Sequence, residues 1–121
     1  MSKILIVEDE KAQREALKEK FERAGHTVLA TVDGEEAFEI CLKEKPDGAI
    51  LDVMLPGMTG LEMAKKLRED EWGKNLKIVI LSNMDRMENV QSAMEAGVYD
   101  YFIKSDTPLE EIVSKVESLL E

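Results

Sequence analysis

Residues 48–60 read GAILDVMLPGMTG, and this stretch decides the fold. Its apolar run, Ala49–Leu51, predicts a buried strand that ends on the carboxylate of Asp52. A loop with a proline and a glycine follows, and Thr59 is placed to cap the next helix. Open α/β sheets bind ligands at the carboxyl ends of their strands, so Asp52 marks a candidate site. A second interpretation stays open here, in which Asp52 only hydrogen-bonds the loop that follows it.

Outside this stretch, strand patterns and helix patterns alternate along the chain. Apolar runs predict four further strands, over 4–7, 27–32, 78–81 and 99–103. Helical spacing and cap residues predict five helices, one over 12–24 and four that begin at Asp33, Thr59, Asp85 and Thr107, with Asp33 and Glu36 spaced as a capping box. Right-handed crossovers place such helices on both faces of a parallel sheet. We therefore predict a doubly wound, flavodoxin-like α/β fold with five helices and five parallel strands in the order 2-1-3-4-5, the less hydrophobic second strand lying at an edge.

The composition fits one globular domain over residues 1–121. A net charge of −10 argues against nucleic-acid binding, because affinity for the phosphate backbone requires clustered Lys and Arg. The single cysteine, Cys41, excludes an internal disulfide and is expected to be a small core residue. No apolar stretch approaches the roughly 20 residues of a membrane span, so we expect a cytoplasmic protein.

Polar side chains stand at the carboxyl ends of four predicted strands. Glu8 and Asp9 follow the first strand, Asp52 the third, Ser82 the fourth and Lys104 the fifth. Because the carboxyl ends of parallel strands share one edge of the sheet, these residues are expected to converge on one crevice. Each alone has a structural explanation, such as a helix end for the two acids. The combination indicates a site.

Three carboxylates in one crevice require a counter-ion. At an effective dielectric constant of 20, two unit charges 4 Å apart repel by about 4 kcal/mol. A divalent cation removes this repulsion, and ligation by oxygen alone suits Mg²⁺. One acid then remains as an oxygen nucleophile toward a phosphoryl group, with Lys104 neutralising the developing charge. Asp52 is the best candidate because it is single, ends a strand and precedes a shaped loop.

At these residues the chain resembles the receiver domain of two-component response regulators, from end to end. The matching motifs are Glu8-Asp9, Leu51–Gly60, Leu81-Ser82 and Ala96–Lys104. In that family the aspartate after the third strand accepts a phosphoryl group from a sensor histidine kinase or a histidine phosphotransfer protein, and the match places this role on Asp52. The resemblance implies a regulatory domain in a phosphorelay rather than an enzyme, one that at most catalyses its own phosphorylation and dephosphorylation.

The resemblance also implies a set of metal ligands. Asp9 would bind Mg²⁺ directly and Glu8 would bind it through water. Asp52 and the backbone carbonyl of Met54 would complete the protein ligands.

Two further residues would receive the phosphoryl oxygens, namely Ser82 and Lys104. Tyr101 matches the aromatic switch residue of the family, which turns inward as the hydroxyl, here that of Ser82, moves toward the phosphate. The implied output is a rearranged face of the fourth predicted helix, the fifth strand and the fifth helix, where a target protein would bind. We expect a stand-alone domain that acts as a switch or as a phosphate carrier.

The chain departs from the family pattern beside the site. Many members have proline after the lysine of the fifth strand, where this chain has Ser105. A cis peptide without proline costs about 2.5–4 kcal/mol, so we predict a trans bond between Lys104 and Ser105. Glu8 and Ser82 replace the commoner Asp and Thr.

Three other functions are compatible with this fold. The first is a receiver-like protein-binding module that works without phosphorylation. A nucleotide- or flavin-binding module would require a glycine- or hydroxyl-rich loop after the first strand, where this chain has Glu8-Asp9-Glu10. A phosphatase with an aspartate nucleophile would require a second acid two residues later, where this chain has Met54.

Overall fold

The structure, a computed structural model, describes residues 2–53, 55, 58–82, 94–95, 97–104 and 106–120. Within these ranges the strands are β1 (Lys3–Val7), β2 (Thr27–Thr31), β3 (Gly48–Leu51), β4 (Lys77–Ser82) and β5 (Asp100–Ile103). The α-helices there are α1 (Lys11–Arg23), α2 (Gly34–Glu44), α3 (Gly60–Glu69) and a C-terminal helix (Leu109–Leu120), with a short 3-10 helix at Trp72–Asn75. The helix predicted from Asp85 lies largely outside the described residues.

All five strands are parallel and follow the order β2-β1-β3-β4-β5. The predicted topology is therefore confirmed, with β2 at an edge as expected. Two strands were predicted one residue too long. Val32 lies beyond β2, and Tyr99 precedes β5 with 42% of its surface exposed.

Helices cover both faces of the sheet, which explains the continuous apolar runs of the central strands. Because successive strand residues point to opposite faces, Leu5 and Val7 pack in one core with residues of α2 and α3, such as Ala37 and Met63. On the other face, Ile4 and Ile6 pack with residues of α1 and the C-terminal helix: Leu17, Phe21, Ile112, Val113 and Val116. The fold is doubly wound, as predicted.

The helix ends follow from local chemistry, with one correction. Thr59 caps α3, because its hydroxyl oxygen accepts the Glu62 N–H at 3.1 Å. Asp33 caps α2 by accepting the Glu35 N–H. The capping box predicted from Asp33 and Glu36 is wrong, since the Glu36 carboxylate accepts the hydroxyl of Thr31 at 2.7 Å instead.

Cys41 and Trp72 both contribute to the core that α2 and α3 cover. Cys41 is fully buried in the core beneath α2, as predicted. Trp72 lies in the 3-10 helix after α3 and packs against the same core. Among the described residues, no helix has the length and apolar character needed to cross a bilayer.

Candidate functional site

The carboxyl edge of the sheet brings the predicted residues together. The strand pairing continues one residue past the strands, because Asp52 N–H donates to the Val7 carbonyl at 3.0 Å and Lys104 N–H donates to the Ser82 carbonyl at 2.9 Å. Glu8 N–H likewise donates to the Thr31 carbonyl at 3.1 Å. These bonds hold the backbones of the strand-terminal residues rigidly and aim their side chains over the same edge.

The Lys104 ammonium lies between two buried carboxylates. Its Nζ is 2.7 Å from Oδ2 of Asp52 and 2.6 Å from Oε1 of Glu8. The exposed fractions of the three side chains are 10% for Lys104, 6% for Asp52 and 3% for Glu8. The two ion pairs are therefore shielded from solvent, where charge-assisted hydrogen bonds are strongest.

Glu8 is a buried acid held by three neighbours. Besides its contact with Lys104, its Oε2 accepts the Glu10 N–H at 3.0 Å, and Arg14 donates to its backbone carbonyl at 3.1 Å. Burial raises the pKa of Glu8 to about 7, and the hydrogen bonds from Lys104 and Glu10 only partly offset that effect. Burial on its own would lower the pKa of Lys104, but its hydrogen bonds to Asp52 and Glu8 raise it overall. The lysine therefore stays positively charged between the two acids.

The loop after β3 is shaped by close contact with α3. Gly60, the first residue of α3, donates its N–H to the Val53 carbonyl at 3.0 Å. A Cβ at Gly60 would lie only 2.1 Å from the backbone oxygen of Asp52. Position 60 therefore requires glycine, since any side chain would displace the backbone that carries Asp52.

Three carboxylates form a candidate cation site. Ligand oxygens from Glu8, Asp9 and Asp52 lie within 4.8 Å of one another, and Asp9 is the exposed member of the set. With Lys104 as the cation beside them, the cluster keeps excess negative charge when its acids are ionised. An all-oxygen donor set of this charge fits Mg²⁺. The fourth predicted ligand, the carbonyl of Met54, lies outside the described residues.

The two predicted switch residues lie on the neighbouring strands. Ser82 is the last residue of β4 and is 1% exposed, and it pairs with Ile103 in the parallel register. Tyr101 is half-buried on β5 and packs against the core beneath α2 and α3. The peptide bond predicted to be trans, between Lys104 and Ser105, falls outside the described residues.

Sequence reasoning missed how these groups contact one another. It placed Lys104 and Glu8 in separate roles, whereas the structure joins them by a 2.6 Å ion pair. It also missed Arg14, which follows Glu8 by six residues and holds its backbone carbonyl. The position of Arg14 in the first turn of α1, one turn beyond the acidic pair, is the signal that could have indicated this contact.

The chain belongs to the response regulator receiver domain family, whose family model matches residues 4–117. Members of this family are regulatory phosphoacceptor domains of two-component systems. The response regulator MprA of Mycobacterium ulcerans is 36% identical over 118 residues, which cover 98% of this chain and 50% of that protein. The chain thus spans about half the length of the curated relatives it matches.

Solved structures of response regulators have the same fold. A response regulator of Chloroflexus aurantiacus is 33% identical and matches with a TM-score of 0.91, over 98% of this chain and 97% of its own. The BeF3-activated N-terminal receiver domain of Klebsiella pneumoniae RstA is 30% identical, with a TM-score of 0.88 and 98% of both chains covered.

Proposed function

We propose that this chain is a phosphoacceptor switch in which Asp52 receives a phosphoryl group. The observation that carries the proposal is the buried Asp52 carboxylate, held 2.7 Å from the Lys104 ammonium and grouped with Glu8 and Asp9. A structural aspartate buried at this position would also pair with a cation, but it would not require two further acids beside it. Membership of the receiver family gives independent support.

The proposed donor is a phosphohistidine of a sensor histidine kinase or a histidine phosphotransfer protein. A carboxylate oxygen of Asp52 attacks phosphorus, so that a P–O bond forms and the P–N bond breaks. The histidine nitrogen keeps the electron pair of that bond, and water supplies the proton that leaves the imidazole neutral. The product is an acyl phosphate on Asp52, and the Lys104 ammonium stabilises the charge on its phosphoryl oxygens.

The acidic cluster is the proposed Mg²⁺ site, with Asp9, Glu8, Asp52 and the carbonyl of Met54 as its ligands. When bound, Mg²⁺ would neutralise the carboxylates and polarise the phosphoryl oxygens. Asp9 is the exposed acid at the mouth of the cluster, so it is placed to meet an entering cation. Lys104 would exchange its contact with Glu8 for one with the phosphoryl group.

Phosphorylation is proposed to shift a two-state equilibrium through Ser82 and Tyr101. A phosphoryl group adds roughly −1.5 to −2 charges and three strong acceptors. Each new hydrogen bond to it from Ser82 or Lys104 contributes about 1.5–3 kcal/mol. Two such bonds approach the about 5.5 kcal/mol that takes a population from 1:99 to 99:1. As the Ser82 hydroxyl moves, Tyr101 turns inward and alters the face formed by the predicted fourth helix, β5 and the C-terminal helix.

The altered face is the proposed docking surface for a target protein. Residues 1–121 are proposed to fold as one receiver domain that acts in the cytoplasm, where its proposed phosphodonors are expected. The competing proposal is a receiver-like module that binds its partner without phosphorylation.

Intact mass measurement tests the proposal. The protein is incubated with acetyl phosphate, with and without Mg²⁺, and compared with Asp52→Ala and with Asp106→Ala, which changes an exposed aspartate near the site. We expect one added phosphoryl group that requires both Mg²⁺ and Asp52 and is unaffected by Asp106→Ala. Folded wild-type protein that gains no phosphoryl group from acetyl phosphate or from a phosphorylated histidine phosphotransfer protein would favour the module that works without phosphorylation.

A further inference from the structure

β5 is held less firmly by burial than its neighbour in the sheet. It is an edge strand of four residues, and all four are only half-buried. By contrast, five of the six residues of β4 are buried. Tyr101 and Phe102 pack against the two cores only from half-buried positions, so the side chains of β5 specify its register less strongly than the buried side chains of β4 specify theirs. A slip by one residue would turn each side chain of β5 to the opposite face, and it would move Lys104 away from Asp52.

Arg68, near the end of α3, contacts the segment that leads into β5. One terminal nitrogen of its guanidinium donates to the Gly73 carbonyl of the 3-10 helix at 2.5 Å. The other donates to the Gly97 carbonyl, also at 2.5 Å. The planar fork of arginine suits such a double contact, because its donors are fixed relative to one another. Arg68 thus connects α3, the 3-10 helix and the turn before β5.

The turn at Gly97, which Arg68 contacts, has a backbone conformation and a hydrogen bond of its own. Gly97 has a φ of +78°, and its N–H donates to the Met94 carbonyl at 3.0 Å. A Cβ at Gly97 would lie 2.9 Å from Nε of Arg68, so the arginine side chain lies directly against this glycine. Two residues later, Tyr99 N–H donates to the Ile78 carbonyl at 2.7 Å and begins the pairing with β4.

We propose that Arg68 is a positioning residue that fixes the start of β5 and, through its register, the delivery of Lys104 to Asp52. The strand is held by a cation at each end, with Arg68 on the Gly97 carbonyl before it and Lys104 on Asp52 and Glu8 after it. Of these two contacts, only the one at Arg68 lies outside the phosphorylation site. The consequence for phosphorylation rests on the proposed function, whereas the consequence for β5 does not.

The test compares Arg68→Met, Arg68→Lys and a matched control, Lys65→Met, which removes an exposed cation from the same helix. Amide hydrogen exchange, Mg²⁺ affinity and the initial rate of phosphoryl uptake from acetyl phosphate are measured on each folded protein. In Arg68→Met we expect the amides of residues 99–104 to exchange at least about tenfold faster, while those of β1 keep their rates. Phosphoryl uptake should slow by about tenfold, because the activation free energy rises by about the contribution of one hydrogen bond.

Mg²⁺ affinity distinguishes a local change at β5 from a general loosening of the fold, which would weaken Mg²⁺ binding. The acidic ligands lie at the ends of β1 and β3, so Mg²⁺ should bind at least as tightly as in wild type if only β5 has moved, because the Lys104 ammonium then competes less for the carboxylates. Weaker Mg²⁺ binding would instead indicate that the ends of β1 and β3 have moved too, and it would contradict a local role of Arg68. Arg68→Lys keeps the charge but has no fork, so its values should fall between those of wild type and Arg68→Met. This variant also provides the test if Arg68→Met does not fold.

Several results would overturn the inference. One is exchange at residues 99–104 that matches wild type in both Arg68 variants. Another is faster exchange at residues 99–104 with unchanged phosphoryl uptake, which would show that β5 does not control the position of Lys104 at Asp52. Equal effects in Lys65→Met would assign the change to surface charge. If wild type takes up no phosphoryl group, the proposed function fails, and hydrogen exchange alone then decides the role of Arg68.

Discussion

Lys104 separates two carboxylates that would otherwise repel each other in a buried crevice. Its ammonium contacts both Asp52 and Glu8, and all three side chains are at least nine-tenths buried. Removing one partner from a buried ion pair leaves an uncompensated charge, and it costs far more than the pair itself contributes. The same ammonium also competes with any metal ion for these two carboxylates.

Lys104→Met is therefore expected to have opposite effects on the metal-free and the metal-bound protein. Without metal, the free energy of unfolding at pH 8 should fall by about 3–5 kcal/mol. Mg²⁺ should bind at least about tenfold more tightly, because a unit charge about 4 Å away contributes roughly 4 kcal/mol at a dielectric constant of 20. Urea unfolding in EDTA and calorimetric Mg²⁺ titration measure the two effects. Weaker Mg²⁺ binding in the variant would contradict this account of Lys104.

The pKa of Glu8 predicts how the stability of the metal-free protein depends on pH. Burial raises this pKa from 4.5 to about 7 in the folded state. Between these values the unfolded chain has released a proton that the folded protein still holds, so the free energy of unfolding falls as pH rises through this window. Glu8→Gln removes this contribution and should give a flatter curve in EDTA.

Urea unfolding of both proteins at several pH values between 4.5 and 8 provides the measurement. Every other titrating group is common to the two proteins, so the difference between their curves reports Glu8 together with its electrostatic interaction with Asp52 and Lys104. Parallel curves for wild type and Glu8→Gln would show that the carboxyl group has the same pKa in the folded and unfolded states.

At the scale of elements, the junction between β3 and α3 positions Asp52. Alanine normally stabilises a helix relative to glycine, by roughly 1 kcal/mol. At Gly60 the opposite is expected, because the added Cβ would overlap the Asp52 carbonyl. Gly60→Ala should lower the free energy of unfolding by about 1–3 kcal/mol, the usual range for overpacking. Gly48→Ala in β3 is the matched control, since its Cβ would meet Leu120 at an ordinary 3.5 Å.

Thermal and urea unfolding of the two glycine variants give a direct comparison. Phosphoryl uptake should also slow in Gly60→Ala, because the backbone that must yield belongs to Asp52. A Gly60→Ala protein as stable as Gly48→Ala would show that the loop yields without cost, and that the glycine is not required for the position of Asp52.

The elements that the sequence predicted well are those that local chemistry specifies. Ile4–Val7 reads as a central strand because both faces are buried, and Thr59 caps α3 because its hydroxyl reaches the Glu62 N–H. The capping-box prediction was wrong because a residue of the preceding strand competes with the backbone of the helix cap. Glu36 has capping-box spacing, but Thr31 takes its carboxylate.

The candidate site was predictable in position but not in contacts. Parallel topology alone places Glu8, Asp52 and Lys104 at one edge of the sheet, because the carboxyl ends of all parallel strands lie at the same edge. Which side chains touch depends on rotamers and on separations between strands distant in sequence. The ion pair between Glu8 and Lys104 joins residues 96 positions apart in sequence, and nothing in their local patterns indicates it.

At the scale of the whole molecule, a net charge of −10 complicates any metal experiment. Added Mg²⁺ screens the repulsion among surface acids and would stabilise the fold without occupying a site. A specific site adds a second contribution, which grows with concentration as the bound state is populated. The two contributions can be separated because Asp9 is exposed and belongs to the acidic cluster.

Asp9→Asn is expected to remove most of the specific contribution and little of the screening, since it lowers the net negative charge by only one unit. At a Mg²⁺ concentration 100 times the dissociation constant, wild type should gain about 2.7 kcal/mol in free energy of unfolding relative to EDTA. The variant should gain only what NaCl of equal ionic strength provides. Because Asp9 is exposed, its replacement should leave the metal-free stability within about 0.5 kcal/mol of wild type, as is usual for surface substitutions. If Mg²⁺ stabilises both proteins equally, the ion acts on the overall charge of the molecule, and the acidic cluster at the sheet edge is not its binding site.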